Sequence, residues 1–135
     1  QFFFINFGCC SCVRLLARPR GNQLRVVGTI DLPYQAQFSS INDFLIDDYN
    51  NDGNKDILMA GNLFTSEVET TRNDASYGLV LTGNGDGTFK AMSRKDTGFY
   101  APSDAKKLHL INLKDEQGII VGNNNDLIQY FKRIE

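Results

Sequence analysis

Eight short runs of apolar, β-branched and aromatic residues, none longer than eight residues, occupy much of the chain from residue 24 onward. They are LRVVGTI (24–30), INDFLID (41–47), DILMAG (56–61), YGLVLTG (77–83), TFKAMS (88–93), KKLHLINL (106–113), GIIVGN (118–123) and DLIQYFKR (126–133). Clusters of Gly, Asn and Asp separate most of them, and these residues suit tight turns. Runs this short, punctuated this often, predict β-strands in antiparallel sheets. Only VRLLARPR (13–20) hints at helical periodicity, which Pro19 would end. In LHLINL, Leu108, Leu110 and Asn112 alternate with His109, Ile111 and Leu113, which predicts cover on both faces.

The chain of 135 residues is long enough for one domain with a real core. Charged residues are 22% and the formal net charge is −2, an ordinary globular balance with no basic stripe. Nothing in it calls for nucleic acid; Lys106-Lys107 and Lys132-Arg133 read as solvated strand edges. The chain opens on Gln1 rather than Met and reads as a piece of a longer product. Its start, QFFFINFGCCSC (1–12), is too short to span a bilayer. It reads either as the remnant of a secretory hydrophobic region or as a buried strand, Phe2 to Phe7. Cys9, Cys10 and Cys12 cluster with no downstream partner. Cys9-x-x-Cys12 has the spacing of half a zinc site without the other half, so a local disulfide, free thiols or a non-native leading segment fit better. Residues 1–30 are therefore left as a leader or extra strands, ahead of a repeat region over 31–135.

The stretch FLIDDYNNDGNKDILMAGN (44–62) carries the most chemistry. Counted from Asp48, it reads D-x-N-x-D-G-x-x-D. A hard cation such as Ca²⁺ takes six to eight oxygen ligands, and alternate side chains in a coiled loop converge on one point. The expected ligands are Asp48, Asn50, Asp52, the backbone carbonyl of Asn54 and Asp56, with Gly53 permitting the sharp turn. With no thiolate or imidazole nearby, zinc and copper are poor candidates. The loop is not an EF-hand: position 12 is Met59, inside a strand-like run, where an EF-hand needs a bidentate Glu. A metal-free turn rich in Asx residues is the alternative. Asp47 reads as a strand-end carboxylate.

A weak internal repeat follows. FLIDDYNNDGNKDILMAGN and LHLINLKDEQGIIVGNN each consist of an apolar strand, a polar loop with Gly, a second apolar strand and then Gly-Asn. Two strand–turn–strand units suggest hairpin-based blades, though 135 residues are too few to close a propeller. The motif DYNNDGNKDILMAGN, with the later LVLTGNGDGTF, resembles the FG-GAP/VCBS-type repeats of β-propeller proteins. The closing GFYAPSDAKKLHLI and IIVGNNNDLIQYF are similar to the C-terminal end of large secreted proteins of that kind. The resemblance covers about residues 31–133. It implies an all-β, incomplete β-propeller fragment of four-stranded antiparallel blades: one full blade over about 41–93 and a partial one over about 105–133. It implies calcium on Asp48, Asn50, Asp52, Asn54 and Asp56, and none in the second blade, where NLKDEQG lacks the alternation. It also implies an extracellular, periplasmic or cell-surface location, and contacts with further blades of a longer chain.

The functional expectation is a noncatalytic, calcium-stabilised module that binds a protein or glycan partner. The long polar segment 62–77 is the expected partner surface, with Arg72, Asp74 and Tyr77 as its candidate residues. An enzyme is not expected: no serine has a G-x-S-x-G context and His109 is the single histidine. The alternatives are an accessory domain of a secreted enzyme and a dockerin-like calcium module, the latter requiring helices.

Overall fold

The computed structural model describes residues 2–5, 12–17, 25–65, 69, 71–114 and 116–133. The described residues are mostly β, and their strands form three antiparallel meanders. The first joins β1 (Phe2–Ile5), β2 (Cys12–Ala17) and β3 (Arg25–Asp31). The second is a four-stranded sheet of β4 (Ile41–Asp47), β5 (Asp56–Gly61), β6 (Leu79–Gly83) and β7 (Phe89–Ala91). The third is a three-stranded sheet of β8 (Ala105–Leu113), β9 (Glu116–Asn123) and β10 (Gln129–Lys132). A 3₁₀ turn, Tyr34–Gln37, precedes β4, and a four-residue helix α1, Arg94–Thr97, follows β7. The second sheet lies within residues 41–93 and the third within residues 105–133. Neither closes on itself.

Four expectations need correction. VRLLARPR contributes a strand, because Cys12–Ala17 pairs on both sides, with β1 and β3. The run YGLVLTG joins its sheet only from Leu79. Gly78 has φ +82°, and a Cβ there would come within 2.5 Å of the Phe99 ring, so the chain turns before it pairs. β10 starts at Gln129 because Asn125, at φ +54°, turns the chain just before. Finally, LHLINL is covered mainly on one face, with Ile111 half-buried on the other. Leu108 and Leu110 join the core, whereas His109 and Leu113 are exposed. Of the cysteines, Cys12 opens β2, while Cys9 and Cys10 lie outside the described residues, as does Asp115.

The core explains the sequence of β5. Leu58 and Ala60 face the third sheet, where Leu108, Ile119 and Val121 meet them together with Phe99 and Ala101. Ile57 and Met59 face the other way, toward Leu32, Leu81, Ile30 and Ala36. A strand covered on both faces has no polar side to show, so its centre reads as an uninterrupted apolar run, ILMA.

The internal repeat is real in the backbone but sits one residue away from where the two Gly-Asn pairs place it. Both β4 and β8 are interrupted after their first residue, between Ile41 and Asp43 and between Ala105 and Lys107. In both, the next loop returns the same bond: Asn62 N–H donates to Ser40 O and Asn124 N–H to Asp104 O, each at 2.9 Å. Asn62 is therefore the counterpart of Asn124, not of Asn123.

Side chains at this end lock the two sheets together. Asn42 Nδ2 donates to Asn62 O at 2.8 Å and to Ala105 O at 2.7 Å. Asp43 Oδ2 accepts from Leu108 N–H at 3.0 Å and pairs with Lys107. Lys106 pairs with buried Asp104 and Lys132 with Glu116 on the neighbouring strand; Lys107 and Lys132 stay largely exposed, so the basic pairs are solvated edges that also carry ion pairs. Burial pushes the Asp104 carboxyl up, but bonds from Lys106 and Asn124 outweigh it and hold the group below its ordinary value.

Asn62 is the hub of this end. It is fully buried with φ +91°. Its Nδ2 donates to Ser76 O and Pro102 O at 2.7 and 3.0 Å, and its Oδ1 accepts from Ser76 N–H at 3.0 Å. One residue thus pins loops from both sheets. Asn62→Ala should lower the unfolding free energy by about 3 kcal/mol or more, because several buried partners lose their bonds together. Asn62→Gly should cost about 1 kcal/mol less, since glycine accepts positive φ. Urea unfolding of both variants measures the difference.

Candidate functional site

The acidic loop leaves β4 at Asp47 and returns at Asp56, the pair that closes the β4–β5 ladder. Its side chains turn inward, onto its own backbone. Asp48 accepts from Asp52 N–H at 3.1 Å and from Gly53 N–H at 2.9 Å, one bond to each carboxylate oxygen. Asn50 Oδ1 accepts from Asp52 N–H at 3.1 Å, and Asp52 Oδ1 from Asn54 N–H at 2.7 Å. Asn50 Nδ2 donates to Asp52 Oδ2 at 2.8 Å. The tight course needs positive φ at Asn51 (+58°) and Gly53 (+87°).

Asp56 behaves differently from the other three. It is fully buried. Its Oδ2 accepts from Tyr49 N–H at 2.9 Å and its Oδ1 from Gly83 N–H at 3.0 Å. One carboxylate thereby fastens the start of the acidic loop to the end of β6. The second turn, GNGDG, is brought alongside: a Cβ on Gly85, at φ +82°, would lie 2.5 Å from Asn54 Oδ1. Within that turn Asp86 Oδ1 accepts from Thr88 N–H at 2.8 Å and Thr88 Oγ1 at 2.6 Å.

Positive charge reaches the loop from within the chain. Arg133, just after β10, donates through Nη2 to Asp48 O and, at 2.8 Å, to Asn51 Oδ1. Its Nη1 lies 3.7 Å from Asp47 Oδ2 and donates to Gln117 Oε1 at 2.8 Å. Lys55 is 3.4 Å from Asp47 Oδ1. A metal ion is thus not the only available counter-charge, and Asp47 is a strand-end carboxylate with two cationic neighbours. Tyr49 packs against the shared core, and its hydroxyl is buried with no hydrogen-bond partner among the described residues. Burial first, and then the nearby Asp47, pushes that phenol well above its usual range.

The donor set tests the metal expectation. Asp48, Asn50 and Asp52 bring hard oxygens into one turn, the chemistry a divalent oxygen-seeking cation requires. Asp56 stands at the loop's base with each oxygen on a backbone N–H. Among the described residues no three His, Cys, Asp or Glu side chains are gathered as a metal cluster. The loop is thus a turn in which Asp48, Asn50 and Asp52 bond the loop's own backbone, while the third carboxylate of the expected set, Asp56, serves as its anchor.

The partner residues expected in 62–77 fall into two groups. Arg72 Nε bonds Asp74 Oδ2 at 2.7 Å, and its guanidinium covers the Phe64 ring at 4.7 Å. An isolated bridge between Leu63 and Asn73 closes that segment. Tyr77 stands apart from them, stacked on Tyr100 with ring centroids 5.8 Å apart. Arg94 lies over both rings, 4.7 Å from Tyr100 and 5.9 Å from Tyr77. Arg94 and Tyr100 carry no motif that marks them in the sequence. His109 is exposed on the outer face of the third sheet, and among the described residues no serine hydroxyl bonds to it.

No family model, no curated protein and no solved structure matches the chain.

Two outcomes test the geometry. Asp56→Ala should destabilise the chain by about 2–4 kcal/mol in chelator, because one buried and one part-buried N–H group lose their acceptor. Urea unfolding without metal isolates that anchoring role. Asp52 accepts its main bond from Asn54 N–H and a second from Asn50, and these hold its carboxyl below the ordinary 3.8. A depressed folded-state value means the contribution to order is present above the unfolded value and lost as pH falls through the folded one. The Asp52 carboxyl resonance should therefore titrate below that of an unstructured aspartate.

Proposed function

We propose that the chain is a noncatalytic, calcium-stabilised β-repeat module of FG-GAP/VCBS type from an exported or cell-surface protein, used to bind a protein or glycan partner. The observation that carries the reading is the inward turn of Asp48, Asn50 and Asp52 at the tip of a β-hairpin within a four-stranded meander. In this reading Ca²⁺ sits on those three side chains and the Asn54 carbonyl, with Asp56 anchoring the loop and closing the set. Its role is structural: it neutralises acids at the β4–β5 turn and holds that turn against the 84–88 turn. Further blades of a longer chain would stack on the outer face of the third sheet, where His109, Leu113 and Tyr130 are exposed.

A dockerin-like module needs helices, whereas the described residues hold one four-residue α-helix. A catalytic reading has His109 as its one imidazole, and that residue is exposed beside Ile120 in the β8–β9 ladder. The segment 62–77, with Arg72, Asp74 and Tyr77, remains the proposed partner surface. Among the described residues no helix is long and apolar enough to cross a membrane.

With an affinity near 10⁻⁴ M, ordinary for extracellular modules, millimolar calcium adds about 1.4 kcal/mol. Calorimetry should show the melting temperature rising by roughly 5 °C over that in chelator. Asp52→Ala should abolish the rise, and Asp115→Ala should leave it intact. No calcium-dependent shift in the parent chain would overturn the proposal.

A further inference from the structure

The two ends of the sheets differ in chemistry. The β4–β5 and β6–β7 turns place Asp48, Asp52 and Asp86 at one end. The segments at the other end hold seven of the nine large apolar or tyrosine side chains exposed among residues with described side chains. Among them are Tyr77 and Tyr100, 53% and 42% exposed, with Arg94 over their rings. Beside them is the tip before β10, where Leu127 is 82% exposed and Ile128 73%. That tip is tied to the tyrosine segment twice. Gln129 Nε2 donates to Tyr100 O at 3.1 Å, and Ser103 Oγ to Asp126 Oδ2 at 2.6 Å.

We propose that this end is a docking surface for a protein segment presenting a carboxylate next to an apolar side chain. The inference rests on reading the chain as a binding module but not on calcium. Arg94 forms no ion pair with any described residue, so a partner's acid would complete it. A guanidinium lying over a ring still points its N–H donors outward in its own plane, the fork that grips a carboxylate. Leu127 and Ile128 offer apolar area that a protein side chain can cover. Tyrosine and arginine also dominate the energetic centres of protein interfaces.

The test begins with a displayed library of random twelve-residue peptides, selected on the intact chain in calcium and again in chelator. Selection should enrich peptides with Asp or Glu beside Leu, Ile or Phe, equally in both conditions. A synthetic peptide from that pool should bind Arg94→Ala about tenfold more weakly, and Arg94→Glu more weakly still. The double variant Leu127→Ser/Ile128→Ser should also lose affinity. These positions are exposed, and thermal melting of each variant confirms its fold. Peptide affinity should be the same in calcium and in chelator, so failure of the calcium reading leaves this result standing. No enriched motif, a motif indifferent to Arg94→Glu, or binding confined to a glycan array would overturn the proposal.

Discussion

A single buried carboxylate organises one end of the molecule. Asp56 opens β5 and accepts one backbone N–H from Tyr49 and one from Gly83. Left unpaired, a buried carboxylate would be costly; bonded this way, it fixes where the acidic loop begins and how far it stands from β6. The loop's other acids are then drawn inward by nearby N–H groups rather than spread by repulsion. Gly85 can approach Asn54 closely because the same anchor sets the distance between the two turns.

The rest of the structure ties that end to the third sheet. The shared layer of Leu58, Val80, Leu108, Ile119 and Val121 supplies the non-directional attraction between sheets. Polar contacts fix its register at both margins. Asn42, Asp43 and Asn62 bridge the sheets near the starts of β4 and β8, and Arg133 bridges them at the acidic loop. A change in the order of the loop therefore reaches the sheet interface through Arg133. The aromatic end is held by a separate set of bonds around Asn62 and Gln129.

Strand positions are legible in the sequence because each strand is short and its turn residues are chemically distinctive. The two-sided burial of β5 is legible in the run ILMA. The acidic turn is legible because D-x-N-x-D-G fixes local backbone bonds that span only two to five residues. What is missed is non-local. VRLLARPR has a helical look that pairing with strands on both sides overrides. Arg133 reaches Asp48 across 85 residues, and nothing in the intervening chain announces it. The repeat register slips by one because Gly-Asn recurs as a word, whereas the backbone repeats its early strand interruptions and the returning N–H bond. Tyr77 meets Tyr100 because Ala101 N–H donates to Tyr77 O at 2.8 Å, a contact between segments with no common motif. A buried Asn just past an apolar run is the one signal that could mark Asn62 in advance.

The most direct test is a calcium titration followed by amide resonances across the whole chain. The account predicts saturable shifts centred on Asp48 to Asp56, extending to the Gly83–Thr88 turn and to the Arg133 guanidinium, with Tyr77 and Tyr100 unchanged. Unchanged resonances through the acidic loop at millimolar calcium, or shifts centred on any other segment, would contradict it.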